Sequence, residues 1–170
     1  MQSLPDIPAE RRKSAAEHYI GNAMAHFDAG ERAALVQQTL AILADPAFAE
    51  IFAAGSRAEV PIVGRITAPD GTPLHVSGQI DRVAVTSDAV LIADYKTDRF
   101  PPETLDEVEP YVAQLALYRT VLARLYPGKV IRAALLFTER PKLMEIPAAA
   151  MDAAFSKVLT RRSHAAVKAS

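Results

Sequence analysis

The chain has no cysteine and only seven glycines among its 170 residues. Without cysteine there is no disulfide framework, no cysteine-ligated zinc or iron–sulfur cluster, and no thiol nucleophile. The glycines do not form the Gly-x-x-x-x-Gly-Lys-Ser/Thr pattern of a phosphate-cradling loop, so this sequence carries no nucleotide-driven motor. The lack of cysteine suits a reducing compartment, and we expect a cytoplasmic protein.

The sequence also lacks long apolar runs and an excess of charge of one sign. No run approaches the roughly 18 apolar residues of a membrane span, and MQSLPDIPAERRK lacks the apolar core of a signal peptide. We therefore expect no contact with a membrane. The formal net charge is −1, so charge alone does not indicate a nucleic-acid-binding protein, although a local basic groove is compatible with it.

The first third of the chain has helical periodicity. Half of all residues are hydrophobic and 23% are charged, which is typical of one globular domain. We predict an N-terminal helical segment over residues 1–53. Its first helix runs from Pro8 to about Ala29 and is ended or kinked by Gly30, and its second helix covers 31–44 and stops at Asp45-Pro46.

The sequence changes to β-type near residue 54. Strands are predicted over 58–67, 74–85, 90–97 and 130–137, with a helix over 111–126 before the last of them and a further short strand in PKLMEIP. This order predicts an α/β fold (α+β by some schemes): a mixed sheet with a three-strand antiparallel meander plus a crossover helix and strand, flanked by helices. We expect this core over residues 54–160 and a disordered tail over 161–170.

Three charged residues interrupt the most apolar part of the predicted sheet. Asp81 and Asp94 stand among Ile, Val, Leu and Ala, and Lys96 follows two residues after Asp94. A tight turn centred on Ser87-Asp88 would place Asp81 directly opposite Asp94. Because strand side chains alternate, one face would then carry both acids and the lysine together with apolar residues: Val83, Val85, Val90 and Ile92.

Two carboxylates in opposed positions, about 4.5–5.5 Å apart at Cβ, repel each other. A divalent cation such as Mg²⁺, which prefers oxygen ligands, removes that penalty, and Lys96 could then reach the attacking water or a phosphate oxygen. This constellation predicts hydrolysis of a phosphodiester. The alternative is an exposed strand end in which Asp94 lies beside Lys96 and Asp81 pairs with Arg82 or Arg65.

The combined motifs resemble the RecB-like branch of the PD-(D/E)xK nucleases. More closely, the sequence resembles the C-terminal nuclease domain of bacterial AddA helicase–nuclease subunits over about residues 45–155, in SRAEVPIVGRI, SGQIDRVAV, IADYKTDR, QLALYRTVLARLYPGK and RAALLFTERPKLMEIP. The resemblance implies a restriction-endonuclease-like fold and a metal-dependent DNA exonuclease that uses Mg²⁺ or Mn²⁺. It also implies double-strand break repair by end resection, with an AddB-type partner subunit and with ATP used only in the parent helicase.

The same resemblance assigns roles to individual residues. Asp81 and Asp94 would bind the metal together with the backbone carbonyl of Tyr95, and Lys96 would be the catalytic lysine. Glu59 matches the acid of the first strand and would be a further ligand; alternatively, it is a strand-end glutamate paired with Arg57 or Arg82.

Several other polar and glycine positions are candidates for DNA contacts. Gln114 and Tyr118 match a Gln-x-x-x-Tyr motif and share one helical face, where they would bind a DNA phosphate, brace the metal site, or form an ordinary polar stripe. Arg99 would touch the DNA backbone or be a solvated loop charge. Gly64 and Gly78 lie within predicted strands, where glycine indicates a bulge or a close approach of the backbone to DNA.

The histidines depart from the RecB-like pattern, in which a helical histidine before the first strand binds the metal. None of the four lies in a Gly-x-x-x-His helix context: His18, His26, His75 and His164. We expect the missing helix to lie upstream in a longer parent chain. A second hypothesis is therefore a catalytically inactive or truncated module that serves as a DNA-binding or scaffold domain. A stand-alone exonuclease of the CRISPR-adaptation type is disfavoured, since those often carry a cysteine-ligated cluster.

Overall fold

The computed structural model describes residues 3–68, 70–98, 100–140 and 142–168, with side chains described through residue 161. Five strands form one sheet in the order β1-β2-β3-β4-β5. They are β1 (Arg57–Thr67), β2 (Pro73–Val85), β3 (Ala89–Lys96), β4 (Val130–Phe137) and β5 (Lys142–Ile146). The α-helices are α1 (Ala9–Ala23), α2 (Ala29–Ala44), α3 (Glu109–Leu125) and α4 (Ala148–Lys168).

The sheet has the predicted mixed topology. The pairs β1–β2 and β2–β3 are antiparallel, β3–β4 is parallel, and β4–β5 is antiparallel. Helix α3 makes the crossover between β3 and β4, because parallel neighbours cannot be joined by a tight turn. The carboxyl ends of β3 and β4 therefore lie side by side at one end of the strands, and Lys96 is the last residue of β3 there.

Helices cover both faces of the sheet. On one face Val83, Val90 and Ile92 belong to the main core with residues of α3 and α4. On the other face Ala84, Leu91 and Ala93 pack with Ile51 and Phe52, and α2 contributes Ile42 beside Phe48 and Leu136. Strand side chains alternate between the two faces of a sheet. The predicted division of β2 and β3 into two faces is confirmed at these positions.

The boundary between the first two helices differs from the prediction. Gly30 neither ends nor kinks a helix: it lies in the first turn of α2, and the break falls between Ala23 and Ala29. The reason is a capping box, in which the Asp28 carboxylate accepts from the Glu31 N–H at 2.8 Å and the Glu31 carboxylate accepts from the Asp28 N–H at 2.9 Å. Helix α2 ends at Ala44, before Asp45-Pro46, as predicted.

The C-terminal segment forms the longest helix in the described part of the chain. The backbone of α4 is helical through Lys168, where a disordered tail was expected from residue 161. The sequence SHAAVK contains no glycine or proline and includes good helix formers, so nothing local stops the helix. No helix in the described ranges is long and apolar enough to cross a membrane.

Candidate active site

The candidate site begins where β2 and β3 stop pairing. Their pairs run from Val85–Val90 to Arg82–Ala93, in the register predicted from the turn. Beyond the last pair, the Tyr95 backbone N–H donates a 2.7 Å hydrogen bond to Oδ2 of Asp81. Asp81 and Asp94 are the next residues after the last pair, Arg82–Ala93. A side-chain carboxylate thus replaces a main-chain acceptor at the point where the strands separate.

The pairing of β1 with β2 is irregular at the same level. Between the pairs Ala58–Arg82 and Val60–Ile80, Glu59 stands opposite Asp81 and has a left-handed backbone, with φ of 52°. The face alternation of β2 also breaks here, since Ile80 and Val83 belong to the same core cluster although they are three residues apart. The charges of Glu59 and Asp94, on the two neighbouring strands, both act on Asp81.

Asp94 is buried and lies against Lys96. Its side chain contacts the Lys96 ammonium through Oδ2, and the Asp94 residue is 7% exposed. In the described part of the chain Oδ2 has no hydrogen-bond partner, so the ammonium approaches it outside hydrogen-bonding geometry. This buried carboxylate oxygen therefore has an ion-pair partner but no hydrogen-bond donor.

The environment of Asp81 disfavours the ionised form of its carboxyl group. Burial raises the pKa of the Asp81 carboxyl above its ordinary value, and the hydrogen bond from Tyr95 opposes that rise. The charge of Asp94 raises this pKa further, Lys96 lowers it, and Glu59 raises it. A cation placed between the carboxylates would remove this repulsion.

The oxygen atoms near the end of the β2–β3 pairing are suitable ligands for a hard divalent cation. Asp81 and Asp94 supply carboxylate oxygens, and Mg²⁺ is commonly held by one or two carboxylates plus water and phosphate. The N–H and C=O of a residue in an extended strand project to the same side, so the Tyr95 carbonyl also faces β2. Among the described residues no three histidine, aspartate or glutamate side chains lie close enough together to hold a metal. Glu59 is exposed and does not complete such a trio.

The first turn of α3 brings an aromatic ring to the site. The Lys96 Nζ lies 3.8 Å from the centroid of the Tyr111 ring. We did not predict this contact, although Tyr111, Gln114 and Tyr118 follow one another at spacings of three and four and hence share a helical face. That spacing could have indicated that Tyr111 lies on the same side of the helix as Gln114 and Tyr118.

Gln114 and Tyr118 lie where α3 packs on β2. The Gln114 side-chain amide donates to the Tyr118 hydroxyl at 2.9 Å, and Tyr118 is only 5% exposed. A Cβ added to Gly78 would collide with that hydroxyl, and a Cβ added to Gly64 would meet Val121 at 2.7 Å. Both glycines therefore let side chains of α3 pack closely on the sheet. The close neighbour that we predicted for them was DNA, and in the structure it is α3.

The remaining candidates lie elsewhere. Arg82, considered as a partner for Asp81 or Glu59, projects to the opposite face of β2, where its guanidinium donates to Asp6 at 2.7 Å and to Ser56 at 2.8 Å. The Tyr95 side chain occupies that face too, and burial raises its pKa to about 12. Arg99 lies outside the described residues.

A mixed sheet with two aspartates and a lysine near the end of the β2–β3 pairing is the arrangement predicted for a nuclease-type hydrolase. Asp94-Tyr95-Lys96 is also a D-x-K triplet. The family model described as the PD-(D/E)XK nuclease superfamily matches residues 3–168. The chain therefore belongs to the PD-(D/E)XK nuclease superfamily, whose members generally use divalent metals.

Other comparisons add little. None of the curated proteins matches the chain significantly. Among solved structures, the chain is similar to the one described as "Crystal structure of SSO0001", with a TM-score of 0.40 and 11% identity, over 85% of this chain and 69% of that chain. This likeness is too weak to bear on function.

Proposed function

We propose that this chain is the nuclease domain of an AddAB-type ATP-dependent helicase–nuclease and that it hydrolyses DNA phosphodiesters during end resection. The observation that carries this proposal is the convergence of Asp81, Asp94 and Lys96 at the end of the β2–β3 pairing. Superfamily membership supports the nuclease activity. The AddA branch rests on the resemblance of the motifs around these residues, including Gln114 and Tyr118 on α3.

Each residue at the site has a distinct role in this proposal. Asp81, Asp94 and the Tyr95 carbonyl would hold Mg²⁺ or Mn²⁺, which would supply Lewis-acid chemistry for hydrolysis. Lys96 provides a fixed positive charge for the phosphate, and such preorganised charge stabilises the transition state. Gln114 and Tyr118 brace the sheet behind the site, and Arg99 contacts the DNA backbone.

The biological setting belongs to the same proposal. The substrate is the DNA end at a double-strand break, the partner is an AddB-type subunit, and the compartment is the cytoplasm. The ATP-driven motor lies in a longer parent chain, because this sequence contains no phosphate-binding loop. The domain then acts as an exonuclease on strands that the motor delivers.

A second candidate is an inactive or truncated nuclease-fold module that binds DNA or acts as a scaffold. One observation favours it: within the described ranges, no third acidic or histidine side chain completes a ligand cluster with Asp81 and Asp94. Two carboxylates alone bind a divalent cation weakly, because charge count and ligand number set the affinity.

Metal titration combined with a cleavage assay distinguishes these candidates. Mn²⁺ is titrated by calorimetry into the wild type, Asp94→Ala, Lys96→Ala and the control Asp152→Asn, whose carboxylate lies 67% exposed beside Arg119. Linear duplex and single-stranded DNA are digested with the same samples. We expect Asp94→Ala to lose both metal binding and cleavage, and Lys96→Ala to retain metal binding while cleavage falls by about 10²-fold or more.

The other outcomes lead to different conclusions. Metal binding without cleavage in the wild type would support the truncated module. DNA binding that survives Asp94→Ala, with no cleavage by any sample, would support the scaffold. A wild type that binds no metal at millimolar concentration would overturn the proposal of an active nuclease.

A further inference from the structure

The Lys96 ammonium has two close neighbours of different chemistry. One is Oδ2 of Asp94, and the other is the face of the Tyr111 ring, whose centroid lies 3.8 Å from Nζ. The Lys96 side chain is 15% exposed. Its position is thus determined mainly by protein contacts rather than by water.

The first neighbour has a competing task. In the proposed function Asp94 binds the metal, so its carboxylate cannot be shared with Lys96 without weakening one of the two contacts. An aromatic ring attracts a cation through its quadrupole and takes no oxygen ligand from the metal. Tyr111 can therefore hold the ammonium without competing for Asp94.

The second neighbour is itself held in place. Tyr111 lies in the first turn of α3, directly after Pro110, and its partly buried side chain packs against the main core. A tyrosine ring has two side-chain torsions, so little freedom remains once it is packed. The sheet supplies the lysine, and the crossover helix supplies a fixed surface beside it.

We propose that Tyr111 is a positioning residue for Lys96 and that its ring face, not its hydroxyl, holds the ammonium independently of Asp94. The catalytic part of this inference rests on the proposed function, since Lys96 must act in cleavage. The contact itself does not. Cleavage kinetics test the catalytic part, and unfolding measurements test the contact.

Cleavage kinetics test the catalytic part. Tyr111→Leu removes the ring, Tyr111→Phe keeps it, and Tyr126→Leu is the matched control, a partly buried tyrosine at the other end of α3. We expect Tyr111→Leu to lower kcat about tenfold, with KM for DNA changed by less than about twofold. Tyr111→Phe and Tyr126→Leu should stay within about twofold of the wild-type kcat. Equal losses in Tyr111→Phe and Tyr111→Leu would overturn the role of the ring.

A double-mutant cycle tests the contact without any need for activity. Urea unfolding midpoints are measured for Tyr111→Leu, Lys96→Met and the double variant, and the cycle is repeated with Asp94→Asn. We expect the double variant to lose less than the two single losses together, with and without Asp94→Asn. Additive losses would overturn the inference, and so would coupling that disappears in Asp94→Asn. If the wild type cleaves no DNA, the proposed function fails, and the cycle alone decides the contact.

Discussion

The Asp81 carboxylate accepts the backbone N–H of Tyr95, 14 residues later in the chain, at 2.7 Å. This bond ties the acid of β2 to the middle residue of the Asp94-Tyr95-Lys96 triplet on β3. One contact therefore fixes the Asp81 carboxylate against β3, and the Tyr95 carbonyl projects to the same side as the N–H that makes it. The site depends on this local departure from regular sheet pairing.

Replacing Asp81 with asparagine should separate stability from activity. The amide oxygen of Asn can still accept from Tyr95, while the charge that burial and Asp94 disfavour is gone. In metal-free buffer at pH 7 we expect a higher urea midpoint for Asp81→Asn than for the wild type, together with loss of cleavage. Asp152→Asn, which removes an exposed ion pair, should lower stability by about 0–1 kcal/mol and leave cleavage intact. A lower midpoint in Asp81→Asn would contradict our account of the repulsion.

The backbone at Glu59 should be strained. Its φ of 52° is common for glycine and costly for a residue with a Cβ. Glu59→Gly and Glu59→Ala both remove the carboxylate, so their difference in stability reports the backbone alone. We expect Glu59→Gly to be more stable than Glu59→Ala by about 1 kcal/mol in urea unfolding. Equal stabilities would show that the strand adapts without strain.

Gly78 should not tolerate a side chain. A Cβ there would collide with the Tyr118 hydroxyl, so we expect Gly78→Ala to destabilise by about 1–3 kcal/mol. Gly21→Ala is the control: no atom lies within 4 Å of the added Cβ in α1, and the helix should gain about 0.5–1 kcal/mol. Adding Tyr118→Phe to Gly78→Ala should recover part of the loss in thermal unfolding. No recovery would place the clash elsewhere.

Glu145 should contribute a pH-dependent stability away from the site. The Arg132 guanidinium makes two 2.8 Å hydrogen bonds to this carboxylate and lowers the pKa of Glu145 below its ordinary value of 4.5. The resulting stability is present above pH 4.5 and is lost as the pH falls through the lowered pKa. Because the carboxylate is half exposed, we expect Glu145→Gln to cost about 1 kcal/mol or less at neutral pH.

A pH series of urea unfolding checks the sign of this effect. The difference between wild type and Glu145→Gln should shrink as the pH is lowered below the ordinary glutamate pKa. Glu103→Gln, at an exposed loop position, provides the control for a general response to acid. A difference that grows towards low pH would contradict the proposed ion pair.

Local sequence signals determined much of the fold. A tight turn centred on Ser87-Asp88 was assumed, and the observed pairs of β2 with β3 confirm the register that this turn implies. The order of a strand, a helix and a strand after residue 90 predicted a parallel crossover, and α3 with the parallel pair β3–β4 confirms it. The capping box at Asp28 was also written in the sequence, as Asp and Glu three residues apart, but we overlooked it.

The tertiary structure decided the details that make this a site. Asp81 bonds the Tyr95 N–H because β2 and β3 diverge there, and Lys96 meets Tyr111 because α3 returns across the same face. Position 78 requires glycine because the Tyr118 hydroxyl packs against its Cα on β2. Each of these contacts joins residues far apart in sequence, and their geometry depends on strand twist and helix packing. Periodicity and turn chemistry fix which face a residue occupies, whereas only the packed layers fix which atoms meet.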